Sequence, residues 1–176
     1  PMSLWESEES SGDVSLKSLF DDSDIAGIAK VDFEGVAFAA CRGGWPLAVG
    51  MDKDIALDQA FDYLDAVEQR DIQMADGVMR NPSRVHRLLR SYARHQGAQA
   101  NYGTIGADLK ANEGDSIDND TIASYINALK RIFVVEDVAA WNPNLRSKTA
   151  IRTSDTRYFT DPSIATAALG MGPSDL

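Results

Sequence analysis

The chain has 176 residues, 44% of them hydrophobic and 25% charged, enough for an ordinary core in one domain or in two small ones. Its net charge of -10 argues against nonspecific polyanion binding by the whole surface, and its single cysteine, Cys41, excludes an internal disulfide and a cysteine-based zinc site. No apolar run reaches the length of a membrane span, Pro1-Met2-Ser3 lacks the features of a signal peptide, and a reducing cytoplasm is the expected compartment.

The charge is unevenly spread. Residues 1–80 hold 6 Lys and Arg against 17 Asp and Glu, whereas residues 81–176 hold 11 against 10. That asymmetry places a boundary near Arg80-Asn81-Pro82, where Asn-Pro also punctuates the chain. The apolar Met2-x-Leu4-Trp5 stretch reads as an excerpt of a longer polypeptide. Val14 to Phe20 is a short amphipathic piece. Asp21-Asp22-Ser23-Asp24 has the carboxylate spacing of a cation loop, but the Gly and distal Glu of a Ca²⁺ loop do not follow, so it reads as a linker and no metal site is expected.

Phe33, Val36, Ala37 and Ala40 recur at helical spacing and predict a helix over Asp32 to Arg42, stopped by Gly43-Gly44. A longer helix is expected from Asp52 or Asp54 to Met74. Leu57, Phe61, Leu64 and Val67 lie on its apolar face, with Asp58, Asp62, Asp65 and Glu68 on the wet one. From Pro82 to His95 the pattern is two-sided. Val85, Leu88, Leu89 and Tyr92 face inward, and Arg80, Arg84, Arg87, Arg90 and Arg94 form a stripe that either tracks phosphates or pairs with the acidic helix before it. His86 and His95 are too far apart to be a helical ligand pair and read as surface residues.

Asn101 to Asp161 reads as a helix-turn-helix followed by a two-stranded wing. A short helix over Tyr102 to Leu109, with Thr104 as its N-cap, leads into a polar loop from Ala111 to Asp118. A second helix, capped by Asp118 or Asp120, carries Ile122, Tyr125, Ile126, Leu129 and Ile132. Val135 to Trp141 and Ile151 to Thr160 supply the wing strands around a turn at Pro143 to Ser147. Asp161-Pro162 opens a last helix, closed by Gly170.

Several phrases resemble, in order, a family of bacterial and archaeal AAA-like ATPases that carry a C-terminal domain of unknown function. They are Pro1 to Glu6; Cys41-Arg42-Gly43-Gly44-Trp45-Pro46; Tyr63-Leu64 through Arg70-Asp71-Ile72; Leu88 to Arg94; Thr121 to Leu129; Val135-Glu136-Asp137 with Trp141; and Arg157 to Pro162. The resemblance implies a mainly α chain with a small β wing: the end of a preceding ATPase domain (residues 1–13), then the helical lid (residues 14–80) and winged helix (residues 81–161) of a larger protein, with a terminal helix and linker over residues 162–176. It also implies that ATP binds in a P-loop domain upstream, and that Arg42, Gly44 and Pro46 approach the nucleotide. Gly permits close backbone approach and Pro offers a rigid apolar surface; equally, Gly43 can be a helix cap and Trp45 a core anchor. No G-x-x-x-x-G-K-[ST] sequence occurs here, so the chain itself is expected to be non-catalytic and to hold no cofactor tightly.

For a DNA partner the candidate contacts are Asn127 and Lys130 on the second helix and Arg146, Lys148 and Arg152 on the wing, beside Arg157. Asp118 and Asp120 oppose phosphate at the end of that helix. A protein partner, or a stand-alone regulator built on the same elements, is the alternative. A metal-dependent hydrolase using the acidic helix is disfavoured, because no His or Cys ligand set accompanies its carboxylates.

Overall fold

Polar caps set where the helices begin, each side chain taking a backbone N–H that the first turn leaves unpaired. The structure is a computed structural model that describes residues 1–21, 25–29, 31–139 and 154–176. In it Ser15 caps α1 (Leu16–Phe20), Asp32 caps α2 (Phe33–Arg42) and Asp52 caps α3 (Lys53–Ala66). A π-helical turn, Val67–Asp71, joins α3 to the single turn α4 (Ile72–Met74). Asn81 caps α5 (Pro82–Arg94), Asn101 caps α6 (Tyr102–Asp108) and Asp118 caps α7 (Asn119–Arg131). Asp161 caps α8 (Pro162–Leu169), and a short 3₁₀ turn, Pro173–Asp175, follows. The cap expected at Thr104 is thus Asn101, whose Oδ1 accepts from Thr104 N at 2.8 Å.

The long acidic helix is interrupted rather than continuous. Val67 and Ile72 are both fully buried, yet in a regular α-helix residues five apart stand roughly 140° apart around the axis. The π turn absorbs that mismatch. It also rotates Glu68, expected on the wet face, inward to 8% exposure. The buried stripe of α3 is Ala56, Ala60 and Leu64, while Phe61 stays partly exposed.

The terminal helix lies at the centre of the fold. Every residue of α8 from Ser163 to Ala168 is buried, and the helix packs against α2, α3 and α5. Small residues permit this: Ala165, Ala167 and Ala168 on α8 meet helices that bury Ala37, Ala39, Ala56 and Ala60. One cluster of buried side chains includes Leu64, Val67, Leu88, Tyr92, Ile126, Leu129 and Ile164. Burying a Leu or Ile side chain contributes about 1.5–3 kcal/mol, so this shared core holds the helices together.

The expected winged helix with a β wing is not what forms: among the described residues there is no strand and no sheet. Val135 bridges Phe159 and Val138 bridges Thr156, but each contact is isolated. The reason is divided pairing. Thr156 also bridges Gln99, the Arg157 N–H donates to Ala98 O, the Arg157 carbonyl accepts from Gly97 N, and the Phe159 N–H goes to the Gln96 side chain at 2.9 Å. The returning segment therefore shares its backbone groups between two neighbours and builds a ladder with neither. The turn at Pro143 to Ser147 lies outside the described residues. No helix among those described is long and apolar enough to cross a membrane.

Candidate functional site

The Gly43-Gly44 turn at the end of α2 is seated on the N-terminus of α8. Gly43 has φ +74° and ψ -178°, a backbone region that is essentially glycine-only. A Cβ there would collide with Asp161 Oδ1 and Ser163 Oγ and lie 2.8 Å from Trp45 Nε1. The next residue is locked on both sides, since Gly44 N donates to Asp161 Oδ2 at 2.8 Å and Gly44 O accepts from Met2 N at 2.6 Å. Trp45 Nε1 donates to Ser163 Oγ at 2.9 Å, and its ring meets Tyr63 of α3 with centroids 4.7 Å apart. The expected helix stop and Trp45 anchor are both realised here.

Beside this turn lies a cavity of about 320 Å³ lined by Met2, Leu4, Val31, Val36, Ala39, Ala40 and Pro162, with Arg42, Gly43, Gly44, Glu9 and Asp161 at its polar edge. Of the three residues expected near a nucleotide it brings together Arg42 and Gly44; Pro46 is exposed and does not line it. Arg42 is 6% exposed and makes two hydrogen bonds of 2.8 Å to Glu9, a bidentate pair that holds the Glu9 carboxyl below its usual range. With both Gly44 backbone groups and the Arg42 guanidinium occupied, the cavity offers a ligand mainly apolar surface. Its volume sits at the lower end of the roughly 300–1,000 Å³ typical of small-molecule sites.

The basic residues expected to meet phosphate are mostly spent inside the fold. Arg84 and Arg87 share Asp115, Arg90 approaches Glu113 at 3.4 Å, and Arg94 pairs with Asp108 at 2.6 Å and Glu113 at 2.9 Å. Arg84 to Arg94 thus find their acids at the end of α6, on the π turn Leu109–Glu113 and in the loop after it, not on the preceding acidic helix. Burial pushes Asp115 up, but the Arg87 and Arg84 hydrogen bonds outweigh it and hold the carboxyl low. Arg80 pairs with Asp76 at 2.7 Å and stacks over the Tyr125 ring. Of the candidate DNA contacts, Asn127 is exposed and Lys130 lies 2.7 Å from Asp137. Arg146, Lys148 and Arg152 lie outside the described residues.

Two groupings escaped the sequence reading. Asp137, with its side chain 1% exposed, accepts from Tyr92 Oη and from Arg157, while Arg157 Nε donates to Ala100 O at 2.7 Å. Burial, reinforced by the Asp137 hydrogen bond, pushes the Tyr92 hydroxyl far above its usual range. Asp137 and Arg157 each fall in a phrase that carried the family resemblance, but nothing in their spacing joins them. The second is Glu68, whose Oε1 lies 2.8 Å from His86 Nδ1 between cavities of about 330 and 240 Å³. Burial raises the Glu68 carboxyl despite His86. No sequence signal marks the π turn that directs it inward.

Among the described residues no three His, Cys, Asp or Glu side chains converge as a metal site. No curated protein and no solved structure matches this chain. A family match covers residues 34–175, from the first turn of α2 to the 3₁₀ turn after α8. The chain belongs to that family, described as a domain of unknown function (DUF8612).

Proposed function

We propose that this chain is a non-catalytic part of an AAA-like ATP-binding protein, in which the cavity beside Gly43-Gly44 receives the base of ATP held by a P-loop domain elsewhere in the polypeptide. The observation that carries the reading is the cavity itself. It is apolar, roomy enough for a purine base, and bounded on one side by the Gly43-Gly44 turn. Arg42 acts through Glu9: it fixes the cavity edge, and a phosphate would have to displace the Glu9 carboxylate to reach it.

The rest of the chain couples that cavity to a partner. Because α8 packs against α2, α3 and α5, it is the element that would carry a shift at the Gly43-Gly44 turn to the arginine-bearing helix. Internal pairing of Arg80, Arg84, Arg87, Arg94, Lys130 and Arg157 favours a protein partner over duplex DNA, since each cation would have to leave a carboxylate to meet a phosphate. Photocrosslinking of an azidoadenine nucleotide to the intact natural polypeptide tests the cavity assignment. Label is expected on the stretch containing Val36 to Ala40 or on Leu4; label confined to other segments defeats it.

A further inference from the structure

The cavity beside Gly43-Gly44 is one end of a longer groove. A second cavity of about 300 Å³ shares Leu4, Glu9, Val31 and Val36 with it and extends over Val14 and Ile28. These walls are open to solvent: Leu4 is 49% exposed, Val14 48%, Val36 52% and Ile28 91%. Beside them α1 buries none of its residues, and it leaves Leu16, Leu19 and Phe20 exposed next in sequence to a groove residue, Val14. An apolar surface of this extent on one segment marks an interaction site rather than ordinary surface composition.

Charge identifies the occupant. The charged side chains lining the outer cavity are Glu9 and Asp13, and the segment that builds it also exposes Glu6, Glu8, Asp21, Asp32 and Glu34, against Lys17 as its one exposed basic side chain among the described residues. A second copy of this chain would bring the same acidic segment against itself, and like charges set against each other penalise that pairing. We propose that the outer half of the groove, with α1 as its flank, docks an amphipathic segment of another protein whose apolar residues alternate with Lys or Arg. Apolar side chains fill the space between Val14, Ile28 and Val36, and the basic residues meet Asp13 and the other exposed acids of the segment. This does not depend on a nucleotide in the inner half, so its test is run without one.

The probe is a fluorescein-labelled synthetic amphipathic helix of Leu and Lys, titrated with the full chain and followed by anisotropy at low and high salt. A Ser/Lys peptide and a Leu/Glu peptide serve as controls. Saturable one-to-one binding of the Leu/Lys peptide is expected. Ile28→Asp or Phe20→Asp should weaken it on the order of tenfold, as should added salt, with little binding of either control. Both positions are so exposed that urea midpoints should be unchanged, which separates lost docking from lost folding. Equal binding of the Ser/Lys peptide would overturn the proposal, because charge alone would then suffice. So would indifference to Ile28→Asp, or sedimentation as a homodimer that Ile28→Asp dissolves. No saturable binding of the Leu/Lys peptide to the unmodified chain at low salt would overturn it as well.

Discussion

Replacing Gly43 by Ala should be among the most damaging single-methyl changes in the protein. At φ +74° and ψ -178° an alanine incurs about 1–3 kcal/mol of backbone strain. Its Cβ also displaces Asp161 Oδ1 and Ser163 Oγ, disturbing the Trp45–Ser163 and Ser163–Asp161 hydrogen bonds, worth about 1 kcal/mol each. The expected loss is about 3–5 kcal/mol, a large part of the roughly 5–15 kcal/mol that stabilises a domain. Gly170 supplies the control, since it too has positive φ, at +69°, but a Cβ there meets nothing within 4 Å. Gly170→Ala should cost only about 1 kcal/mol. In urea unfolding, with a slope of about 2 kcal/mol per molar, the Gly43→Ala midpoint should fall by roughly 1.5–2.5 M and the Gly170→Ala midpoint by about 0.5 M. Adding Ser163→Ala to Gly43→Ala should recover about 1 kcal/mol by removing one of the two oxygens in the way. Equal midpoint shifts for the two glycine variants would refute the seating of this turn on α8.

Arg157→Met leaves Asp137 buried with Tyr92 and Lys130 as its remaining partners, so it should destabilise by about 1.5–3 kcal/mol, read as a lowered thermal midpoint. Phe133 stands at φ +56° just past α7, where glycine is the usual residue, and its side chain is 78% exposed; Phe133→Gly should therefore stabilise the fold by about 0.5–1 kcal/mol in urea. Two of the perturbed carboxylates, Asp76 and Glu68, are shifted in opposite directions. Asp76 is lowered from 3.8 to about 2 by Arg80, so its contribution is present above the unfolded value and is lost as pH falls from about 4 toward 2; Asp76→Asn should flatten that part of the acid limb. Glu68 is raised above 4.5 by burial, so its contribution is greatest below that value and fades as pH rises through the folded one. Glu68→Gln should therefore gain on wild type between acid and neutral pH, and an unchanged difference across that range would count against it.

Much of the helical layout was legible because caps and apolar periodicity act locally. Asp32, Asn81-Pro82 and Asp161-Pro162 start their helices, and Gly43 and Gly170 end theirs, as those residue types require. The two π turns were not legible, since a π turn appears in sequence only as a phase slip that periodicity averages away; the inward turn of Glu68 was hidden with it. The wing failed for another reason. Val135 to Val138 and Thr156 to Phe159 have strand-like composition, but Gln96 to Gln99 compete for the same backbone groups, and no local rule foretells a third partner. The site was half legible: the sequence picked out Arg42 and Gly44, yet Glu9 and Asp161, which occupy them, lie 33 and 117 residues away.

The assignment of the inner cavity to a nucleotide base is tested most directly by ATP hydrolysis in the intact natural polypeptide carrying Ala40→Leu. Ala40 lines that cavity and is only half-buried, so a leucine fills the space without overpacking the core. If the base sits there, KM for ATP should rise about tenfold or more with kcat little changed and the urea midpoint preserved. An unaltered KM in a well-folded variant, or no hydrolysis by the unmodified polypeptide, would contradict the account.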